Sequence, residues 1–472
     1  MAALKIRRID CNESASTKHL AALQERMSHN QADIVSPSSR KLTQAVFGQP
    51  LTPLKVVEKI CLDVKAKGLA AVLKYTEQFD KATVTAKTLR VSHEELVKAY
   101  QSASSEFLDC IRRLRDNIMQ FQIGLLAKDA TLPLSEHYEL QLRYRPLRRV
   151  GICIPGGAAA YPSSLLMTVC PAQAAEVPEI VVVMPPTSNG ANNLDMLAAC
   201  HLLGVKEVYR VGGAQAVAAL AYGVEGLPAV DMIVGPGNVF VSTAKQFVSN
   251  QVAIDCLAGP SEVIVVADET AQADFIALDL IAQAEHSPGV AILITWHAEL
   301  LVEVEKHIVK QLAHLERGEL AKAALEDYGC MILTKDKAEA IEIVNSLACE
   351  HLHIQTRDPE GFADKVDNAG AIFIGQFTPV ALGDYAAGPS HVLPTGGSSR
   401  YASGLSANDF RKKTSIVNFT KTGLREVADD VILLAKKEGL TGHAASVQIR
   451  LRETLAARPP KKVVKPAVVA KK

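Results

Sequence analysis

An α/β fold with two parallel sheets is the class this chain predicts, and three observations predict it. Short apolar runs recur between Val150 and Gly375, several of them closed by glycine. They are apolar throughout rather than alternating, the pattern of strands buried on both faces of a parallel sheet. Stretches of helical period lie between them. At 472 residues the chain also exceeds what one ordinary core organises, so two or more domains are expected.

The elements follow in order. Residues 1 to about 40 read as a short helical arm, with helical spacing at His19-Leu20-Ala21-Ala22-Leu23-Gln24-Glu25-Arg26-Met27. So small an arm buries no core alone and is expected to pack on another domain or another subunit. From Leu54 to about Leu126 the period is again helical, through Val56, Val57, Ile60, Val64, Leu69 and Leu73, then Phe107, Ile111, Leu114 and Ile118. The first strand series is Gly151 to Gly157, Glu179 to Met184, Glu207 to Gly213 and Met232 to Asn238, with helices near Leu194 to Leu203 and Ala214 to Tyr222. A second series runs through Glu262 to Ala267, a helix from about Ala271 to Glu285, Val290 to Thr295, Cys330 to Thr334 and Ala371 to Gly375. The last module, from about Asp409 to Leu455, reads as mostly helical.

Composition narrows the partners. The 51 basic and 51 acidic residues balance, and no internal basic stripe stands out, so a nucleic-acid partner is not expected. The basic run at 458–472 lacks a packable face and carries three prolines, which reads as a disordered tail. Nine scattered cysteines with no Cys-x-x-Cys pair suit a reducing compartment rather than a disulfide framework or a cysteine zinc finger. The first residues lack the apolar core of a signal peptide. No run reaches the roughly 18 to 20 apolar residues of a membrane helix. A soluble, cytoplasmic protein without a membrane partner is expected.

Polar residues gather where strands and helices end. Glycine turns follow several strands, and such turns let a backbone approach a phosphate at a helix N-terminus. None spells Gly-x-Gly-x-x-Gly, and parallel-sheet turns need glycine anyway. Gln215 and Asn238 each follow such a turn, either as ligand donors or as helix caps. Gln283 and His286 stand three apart at a helix end and share a face. A histidine there also suits the helix dipole. Glu350-His351 opens the run Leu352-His353-Ile354, as an acid/base pair at a strand mouth or as exposed polar residues. Ala371 to Gly404 reads as a strand and then a long loop holding Asp384 and His391, an oxygen and an imidazole acceptable to a zinc-like ion but equally ordinary turn residues. Glu438 and His443 flank Gly439-Leu440-Thr441 and in isolation look like a helix end.

Read together, Ala258-Gly259-Pro260-Ser261-Glu262, Ala282-Gln283-Ala284-Glu285-His286, Glu350-His351-Leu352, Gly383-Asp384-Tyr385, His391-Val392-Leu393-Pro394-Thr395 and Gly439-Leu440-Thr441-Gly442-His443 occur in an order and spacing that resembles the histidinol dehydrogenase family. The resemblance runs from about Phe47 to Val447. It implies zinc-dependent, NAD-linked oxidation of L-histidinol to L-histidine through the aldehyde, the last step of histidine biosynthesis. It implies one zinc per subunit held by Gln283, His286, Asp384 and His443, and a catalytic pair Glu350 and His351. Ser261, Gln283, His286, His351, Asp384, His391, Glu438 and His443 would contact substrate, and Cys153, Gln215 and Asn238 the cofactor.

The implied fold is an intertwined homodimer of two incomplete Rossmann-like parallel-sheet domains with small helical arms. Glu438 and His443 would complete the neighbouring subunit's site. On this reading the chain divides into an arm at 1–40, a discontinuous α/β domain at 41–150 and 263–405, and an NAD-binding α/β domain at 151–262. A dimer-crossing module at 406–457 and the tail at 458–472 complete it.

Two positions depart from the family's pattern. Cys153 stands where tyrosine is common, and Cys349 where proline is common, just before Glu350-His351. Cys349 raises a rival reading, a thiol nucleophile as in aldehyde dehydrogenases. A carboxylate neighbour would raise its pKa and work against that role. Relatives on the same fold oxidise other alcohols, including sulfonated ones. His391 and Glu438 favour an imidazole-bearing amino alcohol, because they can pair with ring nitrogens and ammonium.

Overall fold

A computed structural model describes residues 4–28, 37–157, 159–257, 259–286 and 289–452. The expected tail at 458–472 lies outside the described residues. Two compact units emerge, one of residues 1–126 and 146–412, the other of 127–145 and 413–472.

The strands in chain order are β1 (Arg7–Asp10), β2 (Ala130–Ser135), β3 (Tyr138–Pro146), β4 (Arg149–Cys153) and β5 (Glu179–Met184). β6 (Glu207–Arg210), β7 (Met232–Val234), β8 (Ala253–Ile254), β9 (Ser261–Ala267) and β10 (Gly289–Thr295) follow. The last are β11 (Cys330–Leu333), β12 (His351–Gln355), β13 (Ala371–Ile374) and β14 (Arg411–Phe419).

The first unit holds two parallel sheets. One has the order β6-β5-β4-β7-β8, and the other the order β1-β11-β10-β9-β12-β13. Renumbered within each series, both read 3-2-1-4-5, the Rossmann order without its sixth strand. The second sheet gains β1 at its edge, paired in parallel with β11. The arm is therefore not wholly helical. Its strand extends the six-stranded sheet, and Leu23 and Met27 of the following helix pack into that sheet's core with Ile264, Ile292 and Ile354.

Successive strand residues feed opposite faces, as a two-residue period requires. Val181 and Val183 of β5 pack with Val57, Ile60 and Val72. Val182 and Met184 pack with Leu96, Ile111 and Ile118. The helices over residues 53–124, grouped by the sequence reading with 263–405, thus lie on both faces of the five-stranded sheet. Wholly apolar strands need cover on both sides, and these helices supply it.

The second unit differs from the expected helical module. It contains a three-stranded sheet of order β14-β3-β2, with β2 and β3 antiparallel, beside helices Lys421–Lys437 and Thr441–Leu451. Large apolar side chains of this unit are exposed, among them Leu132, Leu134, Val417, Leu433, Leu434 and Ile449. Among the described residues no helix is long and apolar enough to cross a membrane.

Candidate active site

The chemistry collects at the amino ends of two central strands. β9 and β12 are parallel neighbours, with His351 beside Val263. Ser261 opens β9 and His351 opens β12, so Ser261, Glu350 and His351 meet at one sheet edge. Ala348, left-handed at φ 50°, ends helix Lys337–Leu347 and turns the chain toward that edge. In a parallel α/β layer this edge carries helix C-termini, whose partial negative charge favours a cation. Gln283, in the last turn of helix Ala273–Ala284, comes from one of them.

The hydrogen bonds form a reciprocal stitch. The Glu350 carboxylate accepts from Ser261 Oγ at 2.7 Å and from the Glu262 N–H at 2.8 Å. Glu262 in turn accepts, through Oε1, from the N–H groups of Glu350 and Gly396, each at 3.1 Å. Gln283 Nε2 donates to Ser261 Oγ at 2.8 Å. With its nitrogen so engaged, the Gln283 carbonyl oxygen is the atom left for a ligand.

His351 Nδ1 lies 3.0 Å from the Glu262 carbonyl oxygen. That oxygen only accepts, so Nδ1 carries the proton and Nε2 keeps its lone pair. Burial lowers the His351 pKa, against the opposing pull of Asp384, and keeps the imidazole neutral. Burial raises the Glu350 carboxyl to about 7, held from rising further by Ser261, the Glu262 N–H and His286. Glu262, buried beneath, is pushed well above the carboxylate range by burial and then by the charge of Glu350.

Asp384 lies in the short helix Ala381–Tyr385, half-buried, its pKa raised by burial and lowered by His351. His391 sits beside it, Nδ1 at 3.2 Å from the Asp384 carbonyl oxygen and Nε2 at 3.4 Å from Ser164 Oγ. Burial takes the His391 pKa to about 4. His286 stays open to solvent on one side, while protein on the other lowers its pKa despite the charge of Glu350. Mutual electrostatic influence ties His286, Glu350, His351, Asp384 and His391 into one cluster.

Glu438 and His443 belong to the second unit, exposed at the end of helix Lys421–Lys437 and in helix Thr441–Leu451. The first unit therefore supplies one amide, one imidazole and one carboxylate of the four expected zinc donors. Among the described residues no three His, Cys, Asp or Glu side chains are gathered as a ready metal centre.

Cys153, Gln215 and Asn238 line a single cavity of about 380 Å³ at the carboxyl ends of β4, β6 and β7. That is the crevice where the strand order reverses, the usual ligand position in an open α/β sheet. Asn238 caps helix Val239–Val248, accepting from the Phe240 and Val241 N–H groups, whereas Gln215 lies within helix Gly213–Tyr222 and is buried. Gly235 is required here, because at φ +106° a Cβ would meet the Cys153 carbonyl oxygen at 2.2 Å. A buried ion pair clamps this glycine, with Lys245 on its carbonyl at 3.1 Å and Asp255 on its N–H at 2.7 Å.

Cys349 is fully buried, and its thiol pKa is driven well above the usual value by burial and Glu262. This removes the nucleophile reading, since an inaccessible, protonated thiol attacks nothing. The sequence reading gave Glu262 no role. The available signal was an acid heading a strand whose next five residues, Val263 to Ala267, are wholly apolar. A carboxyl there must be buried and partnered.

The comparisons agree along almost the full chain. A family model described as histidinol dehydrogenase matches residues 50–451. A histidinol dehydrogenase of Rhodopirellula baltica is 55% identical over 441 residues, 93% of this chain and 96% of the relative. One from Heliobacterium mobile is 44% identical, covering 84% of this chain and 93% of its own. The crystal structure of a histidinol dehydrogenase from Elizabethkingia anophelis matches with a TM-score of 0.85 at 32% identity, over 96% of this chain and 99% of that one. Agreement of this extent in both sequence and structure means that the chain belongs to the histidinol dehydrogenase family.

Proposed function

We propose that this site oxidises L-histidinol to L-histidine through the aldehyde, as an NAD-linked oxidoreductase of histidine biosynthesis that uses zinc. The observation that carries the reading is the stitched group Ser261, Glu350 and His351 beside Gln283, His286 and Asp384. It sets one free imidazole nitrogen and one carboxylate of raised pKa at the same edge.

His351 Nε2 takes the substrate hydroxyl proton as hydride leaves the adjacent carbon, and a neutral imidazole suits that near neutral pH. Glu350 takes a proton from the water that adds to the aldehyde, and the hydrate then loses the second hydride. Ser261 holds Glu350 in place, and Gln283 holds Ser261. NAD, when bound, supplies the hydride acceptor, and the glycine-lined cavity with Cys153, Gln215 and Asn238 fits it because backbone and helix N-termini face the space.

The donor set suits zinc. Among the described residues none donates to the Gln283 oxygen and no lysine or arginine pairs with Asp384, and His286 is accessible. Zinc, when bound, supplies a positive charge that orients the substrate's imidazole and amine. His443 is the fourth donor and Glu438 a substrate contact, both reaching the site from the partner of a homodimer. The exposed leucines of the second unit support such a partner, since apolar surface of this kind marks an interface.

The test follows NADH formation with L-histidinol before and after chelation, with zinc restored. Release of about two NADH per histidinol, lost on chelation and recovered with zinc, is the expected result. An intact metal site without turnover would move the substrate to another amino or sulfonated alcohol.

A further inference from the structure

Among the described residues the cavity assigned to NAD has one acidic lining residue, and it comes from outside the strand and helix units of the five-stranded sheet. Asp80 is the last residue of helix Leu69–Asp80, which lies over that sheet, and it lines the cavity with Cys153, Gln215 and Asn238. Its Oδ2 is buried and has no hydrogen-bond partner among the described residues. Burial alone raises the carboxyl to about 6, with no neighbouring cation drawing it down. Among the described lining residues there is no lysine, arginine or histidine.

This placement works against stability. A carboxylate at a helix C-terminus opposes the helix dipole, and a buried oxygen without a donor forfeits its hydration. An ordinary helix-ending aspartate is solvated or capped at both oxygens, and Oδ2 of Asp80 is neither. Both of its costs are relieved by a ligand that brings hydroxyl donors.

The sheet explains which donors. In a sheet of this order, the acid that grips the ribose hydroxyls of a dinucleotide usually follows the second strand. Here the second strand is β5, and the loop after it, residues 185–193, contains no acidic residue. The glycine turns and helix N-termini for a pyrophosphate are present, while the ribose acid is missing from its usual place. Asp80 lines the same cavity from the end of helix Leu69–Asp80.

We propose that Asp80 is the ribose reader and selects NAD over NADP, its carboxylate accepting hydrogen bonds from ribose hydroxyls and repelling a 2′-phosphate. This rests on the assignment of the cavity to NAD. Apart from Asp80 the described lining carries no charged side chain and offers a phosphate no counter-ion, so rejection comes from both an added repulsion and an absent attraction.

Calorimetric titration of the zinc-loaded full chain with NAD and with NADP, without substrate, tests this. Wild type should prefer NAD by about 100-fold or more, and Asp80→Asn should bind NAD about 10-fold more weakly or worse and bring its affinities for NAD and NADP to within a few-fold of each other. Ligand-free Asp80→Asn should melt no lower than wild type. Gly157→Leu separates the two ideas, because Gly157 lines the cavity and a Cβ there meets nothing within 4 Å, which leaves room for a larger side chain to obstruct it. If Gly157→Leu binds NAD normally, the cavity assignment fails and the proposal with it. If Gly157→Leu loses binding while a well-folded Asp80→Asn keeps both affinity and preference, the proposal alone is overturned.

Discussion

His351 Nδ1 and the backbone carbonyl oxygen of Glu262 lie 3.0 Å apart across adjacent parallel strands. One strand thus sets the tautomer of an imidazole carried on the next, and it does so with a group that no side-chain substitution removes. His351→Asn keeps a donor for that carbonyl but loses the second ring nitrogen. Turnover with histidinol should fall by about 10² to 10⁴ with little change in melting temperature. Steady-state kinetics beside a thermal melt checks this, and near-normal turnover would remove His351 as the base.

Glu350→Gln should divide the two oxidations. The amide still occupies the Ser261 and Glu262 contacts but takes no proton from water. Oxidation of supplied aldehyde should drop by about 10² or more, while histidinol oxidation to the aldehyde persists. If Glu350 takes the proton from water, aldehyde oxidation by wild type needs the ionised carboxylate, and its rate should rise with pH toward the Glu350 value of about 7 and level above it. A bound cation nearby moves that midpoint lower.

Raised carboxyls also have a stability signature. The folded values of Glu262 and Glu350 lie above their unfolded values, so their contribution is full in acid and declines as pH rises through the folded values. Glu262→Gln keeps the acceptor for the Glu350 and Gly396 N–H groups without the titration. Chelated Glu262→Gln should therefore lose less stability than wild type between about pH 5 and 8, measured by urea denaturation.

Arg149 should behave in the opposite sense. Its guanidinium, nearly buried, meets Glu207 through two 2.8 Å bonds and Glu179 through a third of the same length. Arg149 is the largest cause holding Glu207 down at about 2. The contribution of this pair is full above the unfolded carboxylate value and is lost as pH falls toward 2. Arg149→Met should cost about 3 kcal/mol at neutral pH, with the difference from wild type shrinking below about pH 4.

The sequence carried much of this, and what it missed has physical causes. Glu179–Met184 reads as the strand it is, because burial on both faces leaves no polar residue to blur the run. The short β8 offers too little pattern, and β14, Arg-Lys-Lys-Thr-Ser-Ile-Val-Asn-Phe, hides in a stretch read as helical. Its sheet partner, β3, lies some 270 residues earlier, beyond any local period. The site motifs were visible as residue types, but the Glu262 to Glu350 stitch follows from the register of β9 against β12. Asp80 was invisible for the same reason, since only packing of its helix over the sheet brings it to the cavity.

The proposed origin of a fourth zinc donor in the partner subunit can be tested with mixed dimers. If His443 serves the neighbour's site, an active centre needs the first unit of one chain and the second unit of another. His351→Asn disables the first unit, and His443→Ala disables the second. Each homodimer should be inactive. After mixing, unfolding and refolding together, half of the dimers are mixed, and each mixed dimer holds one doubly damaged site and one intact site. Activity should return to about a quarter of the wild-type value, the figure that random pairing in a two-fold dimer sets. Sites completed within a single chain would give no recovery at any mixing ratio, because every chain carries one lesion. Recovery that follows the heterodimer fraction would make the second unit, with its exposed Leu433 and Leu434, the part each subunit lends to its neighbour.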